Sequence, residues 1–287
     1  LKLAAVARKL EKVDRAIEKA IEAGEIPGAV VLARGPDPEL RHERAYGAAT
    51  LSPERHEARP STIYDLASLT KVMATTAAAM LLVADRKLDL DRPVVEWLPS
   101  FGDRGKDRIT VRHLLTHSSG LRPWRAYHAD LLERARRKGE EILGTKAGRD
   151  AILARILRSA PVYEPGEAAV YGDLGFIVLG ALVEAVAGEP LDELCARRIY
   201  RPLGLNDTHF QPIPFTGDRT RYAATEQCSW RDKVVWGEVH DPNAWDMGGV
   251  AGHAGLFSTA YDVLRFAEEM IAADRGASEL FAGDVAR

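Results

Sequence analysis

Cysteine is nearly absent from this chain. Cys195 and Cys228 are its only two among 287 residues. Two cysteines make no disulfide framework, and two unrelated free thiols are the expectation. An excess of basic charge is also lacking. Lys and Arg number 39 against 42 Asp and Glu, for a net charge of −3 with both signs interspersed. That leaves no electrostatic footprint for nucleic acid. No apolar run is long enough to span a bilayer, since the best of them, Val72 to Ala84, is too short. No secretory signal is visible, although the sequence opens on Leu1 rather than Met. A cytoplasmic location is favoured, with a periplasmic or secreted one left open to removal of a signal. There is no internal repeat and no low-complexity tract. Also missing are the Gly-x-Ser-x-Gly nucleophile elbow, the phosphate loop and the dinucleotide fingerprint.

What is present is ordinary in bulk, with 46% hydrophobic and 28% charged residues, enough for one large domain or two interlocked ones. Leu10, Val13, Ile17 and Ile21 recur at helical spacing, predicting an amphipathic helix over 3–23 stopped by Gly24. Residues 29–33 and 41–48 read as strands of a hairpin, turned at Gly35-Pro36-Asp37-Pro38. Helices are expected from Ser68 to about Ala84, over 110–117 with Thr110 as N-cap, and over 131–137, 149–159, 174–187, 191–199 and 260–273. Between Arg201 and Gly248 the chain is rich in Pro, Gly, Asp and aromatics and reads as a long irregular segment. Such segments tend to carry function. The order predicts an α+β fold, an antiparallel sheet flanked by helices with a helical subdomain.

Three constellations could carry chemistry. Ser68 and Lys71 are three apart at the start of the most apolar helix, so the hydroxyl and the ammonium share a face. Ser68 also lies at the positive end of the helix dipole, where a developing alkoxide is favoured. By itself the pair is also what chance gives: a serine near a helix start and a solvated lysine. Tyr171-Gly172-Asp173 offers a phenol, a candidate general base beside a lysine, and a carboxylate. The plain alternative is a core tyrosine beside an aspartate that caps the helix from Leu174. Gly252-His253-Ala254-Gly255 surrounds a histidine with small residues, which suits either close backbone approach to a ligand or a tight turn. His113 and His117 have metal-ligand spacing, but Leu114 stands where a zinc protease needs glutamate. Cap and packing roles suit them better than metal binding.

Ser68-Leu69-Thr70-Lys71 followed about a hundred residues later by Tyr171-Gly172-Asp173 resembles the class C β-lactamase and penicillin-binding-protein-like serine hydrolases, in their esterase-like branch. Ile26 to Val30, Leu88 to Val94, Ile109 to Gly120, Tyr163 to Gly166 and Gly255 to Thr259 look like landmarks of the same family, so the likeness covers essentially the whole chain. The resemblance implies Ser68 as acylated nucleophile, Lys71 as its helper and Tyr171 as the partner base that protonates the leaving group. Asp173 and His253 are the implied substrate contacts. It implies no metal and no cofactor, a small ester or amide substrate, no nucleic-acid partner and no membrane span. Asp173 replaces the family asparagine. A carboxylate cannot donate to a substrate carbonyl, which moves the expectation from β-lactams toward simple esters. His253-Ala254-Gly255 does not read as the family's His-x-Gly strand, because Leu256 to Thr259 and the helix after them look like the segment that precedes that strand.

The C-terminal strands, with their second oxyanion-hole N–H, are therefore expected to be missing from this sequence. The expected division is a sheet domain from 1–70 and 230–287 and a mainly helical subdomain from 71–229. The expected reaction is hydrolysis of a carboxylic ester through an acyl-enzyme on Ser68. The alternatives are a β-lactamase or D-alanyl-D-alanine carboxypeptidase, a non-catalytic acyl-binding sensor, and a metal hydrolase built on His113 and His117.

Overall fold

The periodic apolar positions near the start form a helix, α1 (Lys2–Glu22), which ends where Gly24 takes a φ of +72°. The computed structural model describes residues 2–35, 41–211 and 213–281, so residues 36–38 of the expected turn lie outside the described residues. Strands β1 (Gly28–Arg34) and β2 (Arg41–Thr50) pair antiparallel from Gly28↔Gly47 to Arg34↔Arg41. Arg44 of β2 ties the sheet to α1 through Asp14 at 3.0 Å and Glu18 at 2.8 Å. A short β3 (His56–Glu57) extends the sheet on the far side of β2. Then come β4 (Tyr64–Asp65) and the turn that carries Ser68.

Helix α2 (Lys71–Ala84) is the centre of the molecule. Ala74, Ala77, Ala78, Leu81 and Leu82 are all buried, and their mostly small side chains let other helices approach closely. Its first turns, through Thr76, are wider than an α-helix, a distortion often found at functional sites.

α3 (Val111–Leu115) is shorter than the sequence suggests. Thr110 and His113 cap it reciprocally, Thr110 Oγ1 accepting from the His113 N–H and His113 Nδ1 from the Thr110 N–H. The chain then leaves the helix, and His117 sits at φ +57°. The two histidines therefore do not line one helical face, which overturns the metal-hydrolase alternative. α4 (Tyr127–Lys138) and α5 (Lys146–Leu157) both start earlier than expected, α5 because Thr145 caps the Gly148 N–H. α6 (Leu174–Ala187) ends at Gly188 as read from sequence, and α7 (Leu191–Leu203) follows at a bend of 71°. No single helix among the described residues is long and apolar enough to cross a membrane.

The segment expected to be irregular holds β5 (His209–Phe210), the hairpin β6 (Ala224–Cys228) and β7 (Lys233–Trp236), and α8 (Pro242–Asp246). β8 (Leu256–Ser258) and α9 (Ala260–Asp274) follow, α9 capped by Thr259. β8 lies between β4 and β5, antiparallel to both, with Asp65↔Phe257 and Phe210↔Leu256 in register. Among the described residues β1 pairs only with β2. Beside its other edge runs a groove of 690 Å³, lined by Ala29, Val31, Tyr64, Leu66 and Val263. Both cysteines are free and buried.

One backbone contact locks α6 to the segment before β8. A Cβ on Gly252 would lie 2.1 Å from the Phe176 carbonyl oxygen and 2.9 Å from Gly180 Cα. Neither neighbour is a flexible side chain that can move aside. Gly252→Ala is therefore expected to cost about 1–3 kcal/mol by overpacking, measured as a lower urea midpoint. An unchanged midpoint would show that the two backbones separate freely.

Candidate active site

Asp65 organises the turn before α2. Its Oδ1 accepts from the Ala67 N–H at 2.8 Å and its Oδ2 from the His240 N–H at 2.7 Å. Burial pushes its pKa up, against these two bonds. Ala67 takes a φ of +45°, a costly left-handed conformation for a residue with a Cβ. The turn leaves Ser68 exposed on the surface, with its backbone N–H bonded to no acceptor among the described residues. Thr70 closes the turn against β8 by accepting from the Leu256 N–H.

Lys71, only 3% exposed, points back under Ser68. Its Nζ lies 2.9 Å from Ser68 Oγ, 2.8 Å from Asp173 Oδ1 and 3.2 Å from the His253 carbonyl oxygen. An ammonium has three protons, and here each has an acceptor. Asp173 stands at the N-cap position of α6, yet its side chain makes no cap bond and pairs with Lys71 instead. The capping reading of that aspartate is therefore not realised.

His117 props the Tyr171-Gly172-Asp173 segment. Its Nδ1 accepts from the Gly172 N–H at 3.2 Å, and its ring packs against Tyr171 and Phe176 with centroids 4.6 and 5.0 Å away. Burial, then the charge of Lys71, holds its pKa down, so the ring is a neutral acceptor at pH 7. Tyr171 is 60% exposed, with its ring centroid 5.1 Å from Lys71 Nζ. Its hydroxyl makes no hydrogen bond to Ser68 or Lys71 among the described residues, and such bonds commonly tighten only when substrate binds.

His253 differs from expectation. Its imidazole is 1% exposed and turned to Asp241 Oδ1 at 2.9 Å, so the side chain is no substrate contact at the cleft surface. It is the carbonyl of His253 that reaches the site. Asp173, Asp241 and His253 offer ligand atoms within 4.8 Å of one another. The nitrogen of Lys71, bonded to Asp173, stands at that same cluster as its cation. Sequence reasoning brought forward Ser68, Lys71, Tyr171 and Asp173, and these four do converge. It missed Asp65, Asp241 and the propping role of His117. The one signal for Asp241 was the Asp-Pro pair, which reads as a helix start with proline at the first position.

This is a serine–lysine site built at the foot of a central helix, with a tyrosine and an acid from the segment that leads into a second helix facing it. The match to the Beta-lactamase family model over residues 13–284 agrees, and the chain belongs to that family, with its β-lactamase/transpeptidase-like α+β fold. Among curated relatives, an Escherichia coli K12 protein provisionally named D-alanyl-D-alanine carboxypeptidase is 32% identical over 92% of this chain and 64% of its own length. A Bacillus subtilis protein named N-acetylmuramyl-L-alanine amidase is 35% identical over 92% of this chain and 63% of its own. The chain thus spans slightly under two thirds of these relatives. Among solved structures, EstCE1, a hydrolase with promiscuous acyltransferase activity, superposes with a TM-score of 0.72 at 26% identity, over 99% of this chain and 76% of that one.

One acid near the site is badly solvated. Asp246, at the far end of α8, is fully buried, and neither carboxylate oxygen has a hydrogen-bond partner among the described residues. Burial pushes its pKa up to about 7, Arg231 opposing and Asp241 adding to the rise. The folded state therefore holds a proton that the unfolded state releases near pH 4, so this group makes stability fall as pH rises from about 4 through 7. Asp246→Asn removes that slope. The variant is expected to be more stable than the parent at pH 8 by on the order of 2–4 kcal/mol, and close to it at pH 4. Urea titrations at the two pH values check this, and equal differences at both would refute the assignment.

Proposed function

We propose that the protein is a serine hydrolase that works through an acyl-enzyme on Ser68, with a carboxylic ester as its first substrate class. The observation that supports it most is the contact of Lys71 Nζ with both Ser68 Oγ and Asp173 Oδ1 beneath an exposed serine. Ser68 Oγ attacks the acyl carbon, and its proton passes to the oxygen of Tyr171, which takes part as the phenolate beside the Lys71 ammonium. The ammonium of Lys71 steadies the alkoxide as it forms, and the free N–H of Ser68 donates to the oxyanion. Tyr171 then returns the proton to the leaving alkoxide, and water repeats the sequence on the acyl-enzyme. The residues supply the charge and the proton carriers themselves, and the reading uses no metal or cofactor. The ester preference rests on Asp173, which stands where an amide donor would hold the carbonyl of an acylamide.

We place the site at the junction of a sheet part, 1–70 and 230–287, and a helical part, 71–229. Ser68 comes from the first, Lys71 and Asp173 from the second, and the His253 carbonyl again from the first. A second reading, hydrolysis of an amide or peptide bond, is favoured by the two curated relatives, whose names are those of amide-bond hydrolases.

Ser68→Ala is expected to abolish labelling by a fluorophosphonate, and Tyr171→Phe to lower kcat/KM on a short-chain nitrophenyl ester about 10²- to 10⁴-fold. Labelling of Ser68→Ala at the parent rate would remove the nucleophile. A single burst of nitrophenol without further turnover would make the protein an acyl-binding sensor. Faster turnover of a D-alanyl-D-alanine peptide than of any ester in the panel would establish the second reading.

A further inference from the structure

The proposed chemistry leaves Asp241 and the ring of His253 without a task. Asp241 is the N-cap of α8, its Oδ1 accepting from the Ala244 N–H at 2.7 Å. The same oxygen binds His253 Nε2 at 2.9 Å. His253 Nδ1 is buried without a partner among the described residues, so Asp241 is the only polar anchor of that ring. The backbone on either side of the ring is part of the site. The His253 carbonyl receives a proton from Lys71, and the Gly252 carbonyl receives one from Thr75 Oγ1 at 2.7 Å. The neighbour of Asp241 in sequence, His240, gives its N–H to Asp65, which also holds the Ser68 turn. One dipeptide, His240-Asp241, therefore grips both the turn of the nucleophile and the loop segment beside the cation.

We infer that Asp241 is a positioning residue for Lys71. Through His253 it fixes the carbonyl that takes one of the ammonium's protons, and its own carboxylate is a second negative charge, beside Asp173, holding that ammonium. The inference rests on the serine-hydrolase reading. Electrostatics support the geometry. Burial pushes the Asp241 pKa up, but the charge and hydrogen bond of His253, the Ala244 N–H and the charge of Lys71 outweigh it and hold the carboxyl at about 2. Asp241 is thus an anion throughout the working range. The charged and titratable groups around the pair are Lys71 from α2, Asp173 at the start of α6, Asp65 from β4, His128 from α4 and Asp246 in α8.

The test is the rate of fluorophosphonate labelling of Ser68 as a function of pH, in the parent and in Asp241→Asn. Asparagine keeps the shape and the acceptor for Ala244 and removes the charge. The plateau rate is expected to fall about 10- to 100-fold as the bond that anchors the carbonyl loses its charge assistance. The alkaline limb is expected to move about one unit to lower pH, because the proposed chemistry works with Lys71 as an ammonium and an ammonium with one anion fewer gives up its proton more readily. His253→Gln, which keeps the carbonyl and breaks the ring bond, lowers the plateau in the same direction and serves if Asp241→Asn fails to fold. An Asp241→Asn protein with the parent's limb overturns the inference, whether its plateau is unchanged or falls only in step with a lowered melting temperature. A parent that labels while both variants match it overturns the pair alone. A folded parent that does not label at all removes the serine-hydrolase reading and the pair with it.

Discussion

A lysine ammonium buried to 3% exposure is the constraint the rest of the site answers to. Taking such a charge out of water costs several kcal/mol unless each of its protons finds an acceptor and a counter-charge lies close by. Lys71 meets both conditions by drawing on three separated parts of the chain: a serine one turn earlier, an aspartate 102 positions on and a carbonyl 182 positions on. Breaking any one of the three leaves a buried ammonium proton without its acceptor. The arrangement therefore ties the geometry of the site to folding: the chain that satisfies Lys71 also brings Ser68, Asp173 and His253 together.

That coupling explains two local oddities. Asp173 sits where an aspartate would ordinarily cap a helix, yet it leaves the cap unmade, because a short bond to a buried cation outweighs a solvated cap worth about 1 kcal/mol. Ala67 holds a left-handed φ, because the turn must present Ser68 outward while Lys71, three residues on, points inward. Asp65 stabilises that turn from both sides, with one oxygen on the turn itself and the other on the distant His240.

Much of this was legible in the residues. The hairpin, α1, α6 and α9 follow from apolar spacing and from stops at Gly24 and Gly188, which act within a few residues. Ser68 and Lys71 were legible for the same reason, since three residues across the turn that leads into a helix fix a contact. Asp173 was legible in position and not in partner, because its cap and its ion pair start from the same place. Asp241 was not legible. Its importance comes from one bond to His253 and one charge near Lys71, and neither leaves a periodic trace. The His113–His117 spacing misled in a simple way. Regular spacing implies a shared face only while the helix lasts, and this helix ends two residues before His117.

The contact between Gly180 and Gly252 has a meaning beyond packing. Asp173 lies at the head of the helix that contains Gly180, and the His253 carbonyl lies one residue past Gly252. The spacing between the backbone that carries Asp173 and the His253 carbonyl is therefore gauged by main chain against main chain. Side chains lining the cleft can drift in sequence, and with them the choice of substrate, while the width of the cradle for the cation stays as the two glycines set it.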